Sequence, residues 1–67
     1  MIEVTINGKP QKVATGSSVG DLVASLSLEG SSVAVERNKE IVPRSLHDEV
    51  KLEVGDRIEV VTIVGGG

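Results

Sequence analysis

A chain of 67 residues, with ten acidic and seven basic side chains and a formal net charge of −3, has room for one domain around one small core. It contains no cysteine and no Phe, Trp or Tyr. Those absences exclude a disulfide scaffold, thiolate zinc or iron–sulfur sites, a cysteine nucleophile, and the aromatic stacking used to bind single-stranded nucleic acid.

The acidic balance argues against a nucleic-acid backbone as partner and for a protein with a basic face. The start of the chain shows no basic segment followed by an apolar stretch, and apolar runs are only two or three residues long. A soluble, cytoplasmic domain that neither crosses nor coats a membrane is expected.

Ile2, Val4 and Ile6 alternate with Glu3 and Thr5, which predicts a strand with one buried face. Asn7-Gly8 follows, the dipeptide that best closes a two-residue hairpin. The return strand, about Lys9 to Ala14, carries Pro10 and two lysines and so belongs at a sheet edge.

Thr15-Gly16-Ser17 turns into the one convincing helix. Ser18 suits its N-cap, and Asp21 stands where a capping box has Glu. Val19, Leu22, Val23 and Leu26 share a helical face. Glu29-Gly30 is expected to end the helix, with Gly30 in the left-handed cap conformation. Gly20 costs such a helix up to about 1 kcal/mol, so packing must hold it.

Val33-Ala34-Val35 predicts another strand. The charged run Glu36 to Glu40 reads as a solvated turn into the short extended piece Ile41-Val42-Pro43. Arg44 to Glu49 reads as an irregular or single-turn connection. Val50, Leu52 and Val54 alternate again, Gly55-Asp56 turns the chain, and Arg57 to Val64 is the most apolar strand. Apolar residues on both its faces suit a strand that is central, or half covered by a partner. The order predicts an α+β fold, a five-stranded mixed sheet crossed by one main helix, with the first and last strands adjacent in the middle. Its expected core is Ile2, Val4, Ile6, Val19, Leu22, Val23, Leu26, Val35, Leu52, Ile58 and Val60.

Catalytic groups are scarce. His47 is the only histidine, beside Asp48 and Glu49, and reads as a residue of an exposed, solvated loop rather than a base or a ligand. The serines gather at helix ends and turns, where Ser caps. No phosphate-binding glycine loop is present. Neither a catalytic nor a metal-ligating set is expected, and an enzyme is not.

The end of the chain is different: Val64-Gly65-Gly66-Gly67. Residues 1–64 are expected to form the domain and residues 65–67 a flexible tail. Three residues extend about 10 Å at most, and without Cβ atoms they can thread a narrow channel in another protein. A terminal carboxylate is ionised at neutral pH and is a poor electrophile until activated. On the last strand, Val61 and Ile63 point away from the core side occupied by Ile58 and Val60. With Arg44 they make a candidate docking patch on the face opposite the helix.

Four residue sets carry a resemblance: Asn7-Gly8; the helix Val19 to Leu26; the stretch Val33 to Arg44 with its Asn-Lys-Glu-Ile-Val-Pro-Arg end; and Gly55-Asp56-Arg57 running on to Gly67. Together the sequence resembles the ThiS family, ubiquitin-like β-grasp sulfur carriers of thiamine biosynthesis, over essentially its whole length. The resemblance implies that an adenylating enzyme uses ATP and Mg²⁺ to activate Gly67. Sulfur traceable to a cysteine desulfurase then gives a thiocarboxylate, which thiazole synthase consumes. Gly65 and Gly66 would thread the tail, and this chain would bind no cofactor itself. Two other readings stay open: the small subunit of molybdopterin synthase, with the same thiocarboxylate chemistry, and a ubiquitin-like interaction or modifier module that carries no sulfur.

Overall fold

The computed structural model describes residues 1–26 and 32–63. Five strands form one sheet: β1 (Ile2–Ile6), β2 (Lys9–Val13), β3 (Ser32–Arg37), β4 (Glu40–Val42) and β5 (Arg57–Ile63). Their spatial order is β2-β1-β5-β3-β4. The most apolar strand therefore lies in the centre, with β1 parallel to it on one side and β3 antiparallel on the other. As expected, β2 with Pro10 is an edge strand.

The helix α1 (Val19–Ser25) starts as its sequence predicts. Asp21 N–H donates to Ser18 Oγ at 3.0 Å, and Ser18 N–H donates to Asp21 Oδ2 at 3.0 Å, a complete capping box in which Asp replaces Glu. Leu26 is its C-cap. The helix therefore ends before the expected Glu29-Gly30 stop, because the Leu26 N–H already closes the last turn on Val23 O and Ala24 O; Gly30 itself lies outside the described residues, as do Val64 and the tail.

Nine of the described residues form the core: Val4, Ile6, Val19, Leu22, Val35, Val42, Leu52, Ile58 and Val60. Register explains the set. Val35 stands opposite both Val60 and Val42, and Ile6 opposite Ile58, so these side chains share the helix-covered face. Ile2, Val23 and Leu26, expected in the core, pack against its margin half-buried. Val42 joins the core from a three-residue strand too short to reveal a period.

Segment 50–56 forms no strand. Lys51 makes one bridge to Ser18, Leu52 turns inward, and Val54 is 73% exposed. Two glycines at +82° and +83°, Gly8 and Gly55, serve the turns before β2 and β5.

Both two-residue hairpin turns begin with an asparagine in the left-handed region, Asn7 at φ 50° and Asn38 at φ 52°. Each side chain reaches β5 from a different side. Asn38 Oδ1 accepts from Arg57 N–H at 2.9 Å, at the start of the strand. Asn7 Oδ1 accepts from Val60 N–H at 2.9 Å, and its Nδ2 donates to Val60 O at 3.3 Å. The central strand is thus pinned by side chains of both turns.

Candidate functional site

Residues directly opposite in a sheet share a face. Ala34 lies opposite Val61, Ser32 opposite Ile63, and Glu36 opposite both Glu59 and Ile41. This row occupies the open face of the sheet, away from α1. Val61, Ile63 and Ile41 are 58%, 54% and 64% exposed there. Val61 and Ile63 form a small apolar patch suited to a protein partner, with Glu59 beside it on β5, while Ile41 lies on the same face two strands away, in the row of Glu36 and Glu59.

Val61 and Ile63 therefore occupy the face expected of them, on the central strand and just before the glycines. Arg44 is exposed on a short 3-10 turn (Arg44–Leu46), separated from β5 by β3 and β4. The structure does not place it beside the two β5 residues. Ile41, which was not among the expected patch residues, joins the open face instead. Its signal in the sequence was its place next to Val42: in a strand one of two neighbours must face outward. Gly65, Gly66 and Gly67 lie outside the described residues.

His47 corrects the sequence reading. It is 8% exposed, and its Nε2 lies 3.1 Å from the Val42 carbonyl. A carbonyl only accepts, so the ring donates from Nε2. The His47 carbonyl accepts the Gly20 N–H at 2.8 Å, tying the 3-10 segment to the first turn of α1. His47 is a packing residue, with both backbone and ring engaged in holding two elements together.

The charged run is likewise more than a solvated turn. Arg37 Nε donates to Asp56 Oδ2 at 2.8 Å, Asn38 Nδ2 to Asp56 Oδ1 at 3.1 Å, and Glu53 N–H to Asp56 Oδ2 at 2.8 Å. Arg37 also meets the exposed Glu53 at 3.2 Å. Burial pushes the Asp56 carboxyl up, but the bonds from Arg37, Glu53 N–H and Asn38 outweigh it and hold the group below the usual aspartate value. The Asp56 bond in turn raises the Arg37 guanidinium pKa. This network shapes the loop that feeds β5.

Among the described residues no group of His, Asp and Glu is arranged to hold a metal ion, and no buried side-chain polar atom lacks a partner. The side-chain hydrogen bonds among them serve caps, turns, the Asn7 and His47 contacts and the Asp56 network. No helix among them is long and apolar enough to cross a membrane.

One helix across a five-stranded mixed sheet, with parallel first and last strands at its middle, is the ubiquitin-like β-grasp architecture. A model of the ThiS family matches residues 4–67, and the chain belongs to that family. It is 46% identical over 63 residues to the sulfur carrier protein ThiS of Bacillus subtilis, covering 92% of this chain and 96% of that protein. It is also 38% identical over 66 residues to a thiazole synthase of Paramagnetospirillum magneticum, covering 98% of this chain but spanning only 20% of that relative. The crystal structure of the thiamine biosynthesis protein ThiS from Geobacter metallireducens superposes with a TM-score of 0.82 at 33% identity, covering 98% of this chain and 100% of that one.

Proposed function

We propose that this chain carries sulfur for assembly of the thiazole of thiamine, with the Gly67 carboxyl as the carrying group. A carboxylate oxygen attacks the α-phosphorus of ATP on an adenylating enzyme that also holds Mg²⁺, and pyrophosphate leaves. A persulfide supplied through a cysteine desulfurase then attacks the acyl carbon and AMP departs, and a thiol cleaves the acyl disulfide so formed, leaving with the former carrier sulfur as a disulfide. The thiocarboxylate that results is a soft nucleophile, which thiazole synthase consumes. The chain is a co-substrate throughout, and works in the cytoplasm with its partners.

The observation that carries this reading is the open-face patch around Val61 and Ile63 on the strand leading to Gly65-Gly66-Gly67, in a member of the ThiS family. A docking surface on the rigid central strand would aim a side-chain-free tail into a partner's active site, where position governs rate. Relatives named thiazole synthase, in which a segment like this chain makes up 20% of the length, support thiazole synthase as the consuming partner and the thiamine route over the molybdopterin one.

Intact mass measurement tests the proposal after incubation with the cognate adenylating enzyme, ATP and a sulfur donor. The expected gain is that of one oxygen replaced by sulfur, located on the C-terminal peptide. A chain that stays unmodified with enzymes active on another carrier would leave a ubiquitin-like binding module.

A further inference from the structure

Asn7-Gly8 is a reactive dipeptide as well as a hairpin turn. The asparagine carboxamide and the next backbone nitrogen can close a five-membered ring, and glycine, lacking Cβ, leaves that nitrogen unshielded. In this fold the same carboxamide holds Val60 by both its backbone groups, 53 residues away in sequence. Asn7 N–H also donates to Ile58 O at 2.9 Å. The amide that can react is thus the one that closes the seam between β1 and β5.

We propose that Asn7 is a spontaneous deamidation site whose reaction is restrained by the clamp on Val60 and, once complete, undoes it. The Gly8 nitrogen attacks Asn7 Cγ, the Cγ–Nδ2 bond breaks and ammonia leaves, giving a succinimide. Water opens the ring at one carbonyl to give aspartate, or at the other to give isoaspartate. The net change is water in and ammonia out, with no oxidant or reductant. Either product lacks the Nδ2–H donor. Aspartate sets a carboxylate oxygen against the Val60 carbonyl, and isoaspartate adds a backbone atom to a two-residue turn whose register pairs Ile6 with Lys9. While both hydrogen bonds hold, the side-chain torsions are fixed, so ring closure waits for local opening.

Asn38 is a built-in control. It also sits at a two-residue turn with positive φ and a clamped side chain, but Lys39 follows it and shields the attacking nitrogen. The full chain is incubated at mildly alkaline pH, folded and in concentrated guanidinium, and digested with a lysine-specific protease. Asn7 is read in the N-terminal fragment and Asn38 in residues 13–39. Replacement of an amide NH2 by OH is expected at Asn7 but not Asn38, at least about tenfold slower in the folded chain. Equal conversion of both asparagines, or equal rates in folded and unfolded chains, overturns the proposal. The consequence is read by the thermal midpoint of Asn7→Asp, whose carboxylate can still accept the Val60 N–H but opposes the Val60 carbonyl, so that a lowered midpoint is expected and an unchanged one means conversion leaves the clamp intact. The clamp itself is read by amide exchange at Val60 in Asn7→Gly, which keeps the turn and removes both side-chain bonds. Exchange faster by about tenfold or more supports the clamp, and unchanged exchange removes it.

Discussion

Arg37 and Asp56, nineteen residues apart, are joined by a 2.8 Å bond from Nε to Oδ2, with the Asp56 side chain almost fully buried and that of Arg37 about a quarter exposed. The bond connects the end of β3 to the turn before β5. Because Asn38 and Glu53 N–H donate to the same carboxylate, one acidic group organises the entry to the central strand.

A pH dependence follows from Asp56. Its carboxyl is held below the usual value in the folded chain, so near and below about pH 3.9 the unfolded chain binds the more protons. The stabilisation is complete above that pH and is lost as pH falls through the folded value. Asp56→Asn should lower stability at pH 7 by about 1–3 kcal/mol and flatten the acid limb of the stability curve. Denaturant unfolding between neutral and acid pH measures both, and an acid limb as steep as the native one would show that Asp56 is not the group responsible.

Gly20 in α1 tests packing against propensity. A Cβ there would overlap Asp48 Oδ1, while the His47 backbone stays at ordinary contact distance, 3.5 Å. Gly20→Ala should therefore gain less than the roughly 1 kcal/mol that helix propensity offers, because the Asp48 side chain must move away. In an Asp48→Ala background the same change should recover that gain. A double-mutant cycle gives the coupling, expected to be at least about 0.5 kcal/mol, and additive effects would mean the two residues do not interfere.

Val61→Glu separates docking from folding. The side chain is 58% exposed, so stability should change by no more than about 0.5 kcal/mol. KM for adenylation should rise at least about tenfold if the open face makes the contact. Thermal unfolding and steady-state adenylation are the two measurements. Unchanged KM would move the docking surface elsewhere.

For the tail, removal of Gly67 shortens the reach by about 3.3–3.6 Å and should abolish sulfur loading, although Gly66 would still end in a carboxylate. Gly66→Trp should block threading. Both variants should unfold like the native chain, since the nine core residues found among the described residues all precede position 61. Sulfur gain by mass, set beside the thermal midpoint, distinguishes lost delivery from lost fold. Loading that persists in Gly66→Trp would count against a narrow channel.

Most of the architecture could be read from local pattern. Alternation at Ile2, Val4 and Ile6 and at Ile58 and Val60, helical spacing from Val19 to Leu26, Asn7-Gly8 and the Ser18 cap each report a period or a backbone preference within a few residues. The apolar double face of β5 also announced its central place, with Val61 and Ile63 outward. Tertiary structure decided what depends on partners distant in sequence. His47 is buried because the 3-10 turn folds onto α1 and Val42, and Val42 enters the core because β3 gives it a register opposite Val35. Asp56 stays charged because Arg37 and Asn38 arrive from another hairpin, and Asn7 closes on Val60 only once β5 lies beside β1. A period states which face a residue takes, whereas hydrogen bonds spanning 19 or 53 residues exist only after β5 is inserted between β1 and β3.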